Sequence, residues 1–117
     1  MIAVIFESVP AEGAGERYLE LGAALRDKLQ AIDGFISVER YQSLSDPSRL
    51  LSLSFFRDEE AVRAWRNTPA HRATQALGRG GVFADYRLRV AEVIRDYGLL
   101  DRTMAPQDSQ IAHPANP

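Results

Sequence analysis

Trp65 and His71 are the side chains from which chemistry is most readily built in this chain. Trp65 is the only tryptophan and His71 one of two histidines, and they lie six positions apart in AWRNTPAHR with Pro69 between them. A neutral imidazole can take a proton from a phenol or ligate an iron, and an indole supplies a large flat wall. On an unbroken helix a separation of six leaves two side chains about 240° apart, so the pair converges only where the backbone is redirected. Thr68-Pro69 offers that break, with Thr68 as a helix N-cap and Pro69 as the first residue of a fresh helix. His71 then falls in a first helical turn, where the helix dipole disfavours the imidazolium and a neutral ring is expected. The competing expectation is plain packing: a partly buried histidine bonded to local backbone, beside a core tryptophan.

A second group is polar. Ser52 and Ser54 share one face of a short strand, and Arg87 and Arg89 share one face of the last strand. Small residues leave room beneath a helix layer, and an arginine there could hold an anionic oxygen through a charge-assisted hydrogen bond. Tyr41 joins Ser52, Ser54 and Arg89 as a candidate substrate contact. The alternative is that all of these simply alternate toward solvent. No metal site is expected. The chain has no cysteine, and His71 and His113 have no histidine or glutamate at ligand spacing. G-x-S-x-G is absent, and GRGG lacks the lysine of a phosphate loop.

The elements that must position these residues follow from periodicity. IAVIFESV, 2–9, reads as a strand apolar on both faces, ended by Pro10. Over 14–32, Tyr18, Leu21, Leu25, Leu29 and Ile32 form a helical stripe, and Asp33-Gly34 stops it with a glycine suited to a left-handed cap. FISVERYQSL, 35–44, alternates, with Ile36, Val38 and Leu44 on one side. SDPSR is a turn, and LLSLSFF, 50–56, returns as the second arm of a hairpin. Asp58 caps a helix whose Ala61, Val62 and Trp65 face the core, and a further helix, PAHRATQAL, ends at Gly78. The last element, 82–98, is long for one strand and implies a bend, a bulge or an extension onto a partner. The tail after residue 100 has no periodicity and is expected to be mobile, leaving one domain over 1–100.

The order β-α-β-β-α-β predicts an α+β, ferredoxin-like fold with a four-stranded antiparallel sheet and helices on one face. The uncovered face carries apolar positions from several strands, and homodimerisation through it is expected. With 117 residues, 45% hydrophobic and 26% charged, the chain suits a single globular domain. A net charge of −2 argues against nucleic-acid binding. No stretch reaches a membrane span or a signal peptide, and the lack of cysteine fits a reducing cytoplasm.

The segments IAVIFESVP, GFISVERYQS, LLSLSFFRDEEAVRAWRNTPAHR and DYRLRVAEV resemble the antibiotic biosynthesis monooxygenase family of the dimeric α+β barrel superfamily. The resemblance implies a homodimer whose sheets form a barrel, with a pocket between helices and sheet in each subunit. It further implies oxidation of a small aromatic phenol to a quinone by O2 without a cofactor. Trp65 matches the family tryptophan, His71 lies where a phenol side chain sits in quinone-forming members, and Arg87 lies near their strand arginine. Their asparagine one turn before the tryptophan is Ala61 here. A haem-degrading branch is the alternative the resemblance leaves, with His71 as the iron ligand. A non-enzymatic dimeric small-molecule binding protein is the other.

Overall fold

The computed structural model describes residues 1–114. Four strands, β1 (Ile2–Pro10), β2 (Phe35–Gln42), β3 (Leu50–Phe56) and β4 (Phe83–Glu92), form one antiparallel sheet in the order β2-β3-β1-β4. Three helices, α1 (Gly15–Gln30), α2 (Glu59–Arg66) and α3 (Pro69–Leu77), complete the ferredoxin-like arrangement, and a wide turn over Gly78–Val82 leads into β4. The two central strands are the most apolar, as expected for strands flanked on both sides.

Register decides which side chains meet the helices. Ile2, Val4 and Phe6 of β1 lie opposite Phe56, Ser54 and Ser52 of β3. Ile2, Leu29, Phe56, Ala61 and Val62 form the buried core, with Val4, Phe35, Val38 and Trp65 packed against it. Even-numbered positions of β1 and β3 therefore face the helices. Ile5, Leu51, Leu53 and Phe55 lie on the opposite side, away from the core that α1 and α2 cover.

Three local features differ from the sequence reading. Ile36 does not share a face with Val38: a bulge between Phe35 and Ser37 sets two residues of β2 against one of β3, turning Phe35 inward and leaving Ile36 52% exposed. β4 stops at Glu92 instead of running to residue 98, because its partner β1 begins at Ile2 and offers only the Met1 carbonyl to the Val93 amide. The segment after residue 100 contains a short helix, α4 (Gln107–Ala112), with Ala105 buried just before it. Residues 115–117 of the expected mobile tail lie outside the described residues.

Caps and turns behave as their chemistry requires. Asp58 Oδ1 accepts the Ala61 amide at 2.9 Å and starts α2. That bond, ahead of the nearby Arg57 guanidinium, holds the Asp58 carboxyl below its ordinary range. Gly34 has φ +89°, and a Cβ there would stand 2.9 Å from the Cβ of Ala61. Position 34 is therefore closed to side chains for both conformational and steric reasons.

Candidate functional site

Pro69 organises the site through a hydrogen bond it cannot make. In a continuous helix the Trp65 carbonyl would accept the amide of residue 69, but proline has no N–H. The carbonyl takes other donors instead: the Thr68 amide at 3.1 Å, the Thr68 hydroxyl at 3.0 Å, and His71 Nδ1 at 3.3 Å. Thr68 Oγ1 in turn accepts the His71 amide at 3.2 Å, the capping bond of α3. The chain bends, and the two rings come together. The imidazole stacks on the indole with centroids 4.5 Å apart and planes 20° from parallel.

This fixes the electronic state of His71. A carbonyl only accepts, so the bonded Nδ1 carries the ring proton and Nε2 keeps its lone pair. Burial lowers the imidazole's affinity for a second proton. The Arg72 cation adds to that effect, while the Trp65 carbonyl opposes it. His71 is thus a neutral base below the ordinary histidine range. Trp65, half-buried, joins the pair to the core. Leu88 and Val90 lie on the helix-facing side of β4 by register yet are 53% and 48% exposed, so an apolar strip of sheet is left uncovered on this side.

The polar residues do not gather as one lining. Ser52 and Ser54 face the helices, whereas Tyr41, Arg87 and Arg89 face the open side, because Glu7 and Ile5 are the β1 partners of Arg87 and Arg89. The sheet separates Arg87 from the serines it was expected to join. Arg89 is paired with Glu7 at 3.1 Å, with both side chains about half exposed. Tyr41 and Arg87, on opposite edge strands, both line a cavity of about 390 Å³ at the end of the sheet. Trp65 and His71 are not on that wall. Ala61 is 3% exposed and packs in the core beside Gly34.

Two residues that strand patterning did not single out also line cavities, Ser8 this one and Arg40 another. Ser8 is 3% exposed and its Oγ has no protein hydrogen-bond partner, although it stands on the wall of the same cavity. A buried hydroxyl left unpaired is costly, which makes Ser8 unusual. Arg40 faces the helices on the edge strand β2. Its signal was its parity with Val38. Among the described residues no group of histidine, aspartate and glutamate side chains is arranged to hold a metal ion. No helix among them is long and apolar enough to cross a membrane.

A four-stranded antiparallel sheet with a broken second helical segment and a Trp-His stack at the break defines a small α+β protein of the ferredoxin-like class. Residues 1–77 match the antibiotic biosynthesis monooxygenase family, and the chain belongs to that family. It is 50% identical over 93 residues to the jasmonate monooxygenase of Pyricularia oryzae, a match covering 80% of this chain and 43% of that protein. The chain therefore spans less than half the length of that relative. It is 31% identical over 96 residues to the uncharacterized protein YqjZ of Bacillus subtilis, covering 80% of this chain and 79% of that one. Among solved structures, Rv0793 of Mycobacterium tuberculosis superposes with a TM-score of 0.74 at 21% identity, covering 83% of this chain and 98% of that one, a likeness of fold.

Proposed function

We propose that the chain is a cytoplasmic monooxygenase that oxidises a small phenolic or similarly electron-rich ring with O2 and no bound cofactor. The observation that carries the reading is the neutral His71, oriented by the Trp65 carbonyl and stacked on the Trp65 ring. In the proposed reaction Nε2 takes the phenolic proton. The phenolate ring then supplies the electrons to O2. One oxygen atom replaces ring hydrogen as a quinone carbonyl and the other leaves as water, so phenol plus O2 balances quinone plus water. Trp65 and the apolar strip of Leu88 and Val90 would keep water from the activated ring. Family membership and a relative named as a monooxygenase support the same class. Arg87 takes no step here, since it stands on the far side of the sheet.

Oxygen uptake by the purified chain with a panel of hydroxylated polycyclic aromatics tests the proposal. One O2 is expected per substrate, with isotope from labelled O2 in the product and no change on adding haemin. No uptake with any compound, or uptake only with haemin, overturns it.

The chain is further proposed to act as a homodimer through the open sheet face. Ala3, Ile5, Leu51, Leu53 and Phe55 form a central apolar strip there, flanked by Ser37, Glu39 and Tyr41 on one side and Arg87 and Arg89 on the other. An apolar centre with a polar rim is the anatomy of an interface. The Cα radius of gyration is 17.0 Å, beyond the ~13 Å of a compact domain of this length. Leu99, Leu100 and Ile111 project from the C-terminal segment, 87%, 72% and 75% exposed. Sedimentation at micromolar concentration is expected to show a particle of twice the 13.0 kDa chain mass. A species of single-chain mass refutes the dimer.

A further inference from the structure

We propose that Arg40 is a carboxylate-binding residue, and that the crevice between α1 and the sheet takes an apolar organic acid by its anionic end. Three independent features point there. Arg40 extends from the helix-facing side of β2, and its guanidinium lies over the Tyr18 ring, 5.9 Å from the centroid. It also lies against Gly22, in the interior of α1, where the Cβ of any other residue would collide with the guanidinium. Glycine inside a helix costs about 1 kcal/mol relative to alanine, and here it makes room for that cation.

The second feature is charge. Arg40 is exposed and, like most arginines of the chain, pairs with no carboxylate among the described residues, which leaves its charge open to a ligand. The third is the surroundings. Arg40 lines a cavity of about 530 Å³ whose wall also includes Pro10, Tyr18, Leu19 and Leu50, and it is the only charged side chain on that wall. One cation on a mainly apolar wall, with Tyr41, Gln42 and Ser48 as its other polar members, matches a ring or chain bearing one negative charge. A guanidinium can take both oxygens of a carboxylate in a forked, charge-assisted pair. The inference concerns binding, and rests on the oxygenase reading only for calling that acid a substrate.

The test is calorimetric titration of the full chain with 1-naphthylacetate and with 1-naphthylacetamide, which has the same body and no charge. The acid is expected to bind about tenfold or more tighter than the amide. Arg40→Gln is expected to abolish that preference while leaving amide binding unchanged, and Arg40→Lys to keep part of it. Gly22→Ala, which favours the helix but displaces the guanidinium, is expected to weaken acid binding without lowering thermal stability. Should Arg40→Gln fail to fold by circular dichroism, Gly22→Ala decides. Equal binding of acid and amide, no binding of the acid, a preference that survives Arg40→Gln, or tighter binding of inorganic phosphate overturns the proposal. Because no turnover is measured, a negative oxygen assay leaves this result standing, and the reverse also holds.

Discussion

Phe56→Ala is expected to lower the free energy of unfolding by about 3–5 kcal/mol, the range for emptying a buried aromatic site. Phe56 is 1% exposed and is the largest fully buried side chain. Its ring meets Phe35 edge-on at 5.8 Å, pairs across the sheet with Ile2, and closes on Leu29, Ala61 and Val62. It therefore joins both hairpin strands to α1 and α2. Domains of this kind hold about 5–15 kcal/mol in all, so one substitution would remove a large share. Denaturant titration reads the effect as a lower midpoint at unchanged slope, and Leu88→Ala, on the exposed strip, should move it by less than about 0.5 kcal/mol. A loss near 1 kcal/mol for Phe56→Ala would show that the helix layer collapses onto the sheet when the ring is gone.

The second large effect concerns His71. His71→Ala is expected to lower kcat/KM about 10²- to 10⁴-fold, the usual worth of a positioned proton acceptor. The acid limb of the native profile should fall below pH 6.5, since burial holds the imidazole below that ordinary value. Stability carries the same signature with a definite sign. The unfolded chain binds the His71 proton more readily than the folded one, so the neutral ring's contribution is fully present above pH 6.5. It declines as pH falls from 6.5 through the depressed folded value and is lost below it. Asp33, Asp46, Asp58 and Asp101 are held below the ordinary aspartate value of 3.8 and act in a separate, more acidic window. Unfolding measured from pH 7.5 down to 5.5 should therefore weaken in the native chain and flatten in His71→Gln. An unchanged slope in the variant would assign the effect elsewhere.

The element order was legible because each segment has its own period and its own stop. Thr68-Pro69 predicted the broken helix, and the predicted convergence of Trp65 with His71 followed from that break. What alternation within one strand could not supply was parity between strands. Ser52 and Ser54 agree with each other, as do Arg87 and Arg89, but which pair faces the helices depends on how β1 pairs with its two neighbours. With β1 apolar on both sides, no hydrophobic contrast announced that choice. The bulge at Ile36 was hidden for a related reason: Phe35, Ile36 and Val38 are all apolar, so a shifted register looks the same. The end of β4 is set by where β1 begins, a long-range fact. Ser8 escaped notice as one polar residue ending an apolar series, and Arg40 because it shares its face with Gln42 and so reads as ordinary strand polarity. Their meaning came only from Gly22 on another element and from a missing partner.

The joint between α2 and α3 has a consequence for what evolution or design can place at position 68. The Thr68 oxygen gives its hydrogen to Trp65 and receives one from His71, so a single atom works in both directions. Serine keeps that two-way role. Aspartate is an equally good helix cap by general preference, yet its carboxylate has no hydrogen to give. It would leave the Trp65 carbonyl with fewer donors and set a negative charge beside the imidazole, drawing a proton onto the ring that the site keeps neutral. The usual rule for capping residues is thus too permissive here: at this joint a cap must also be a donor.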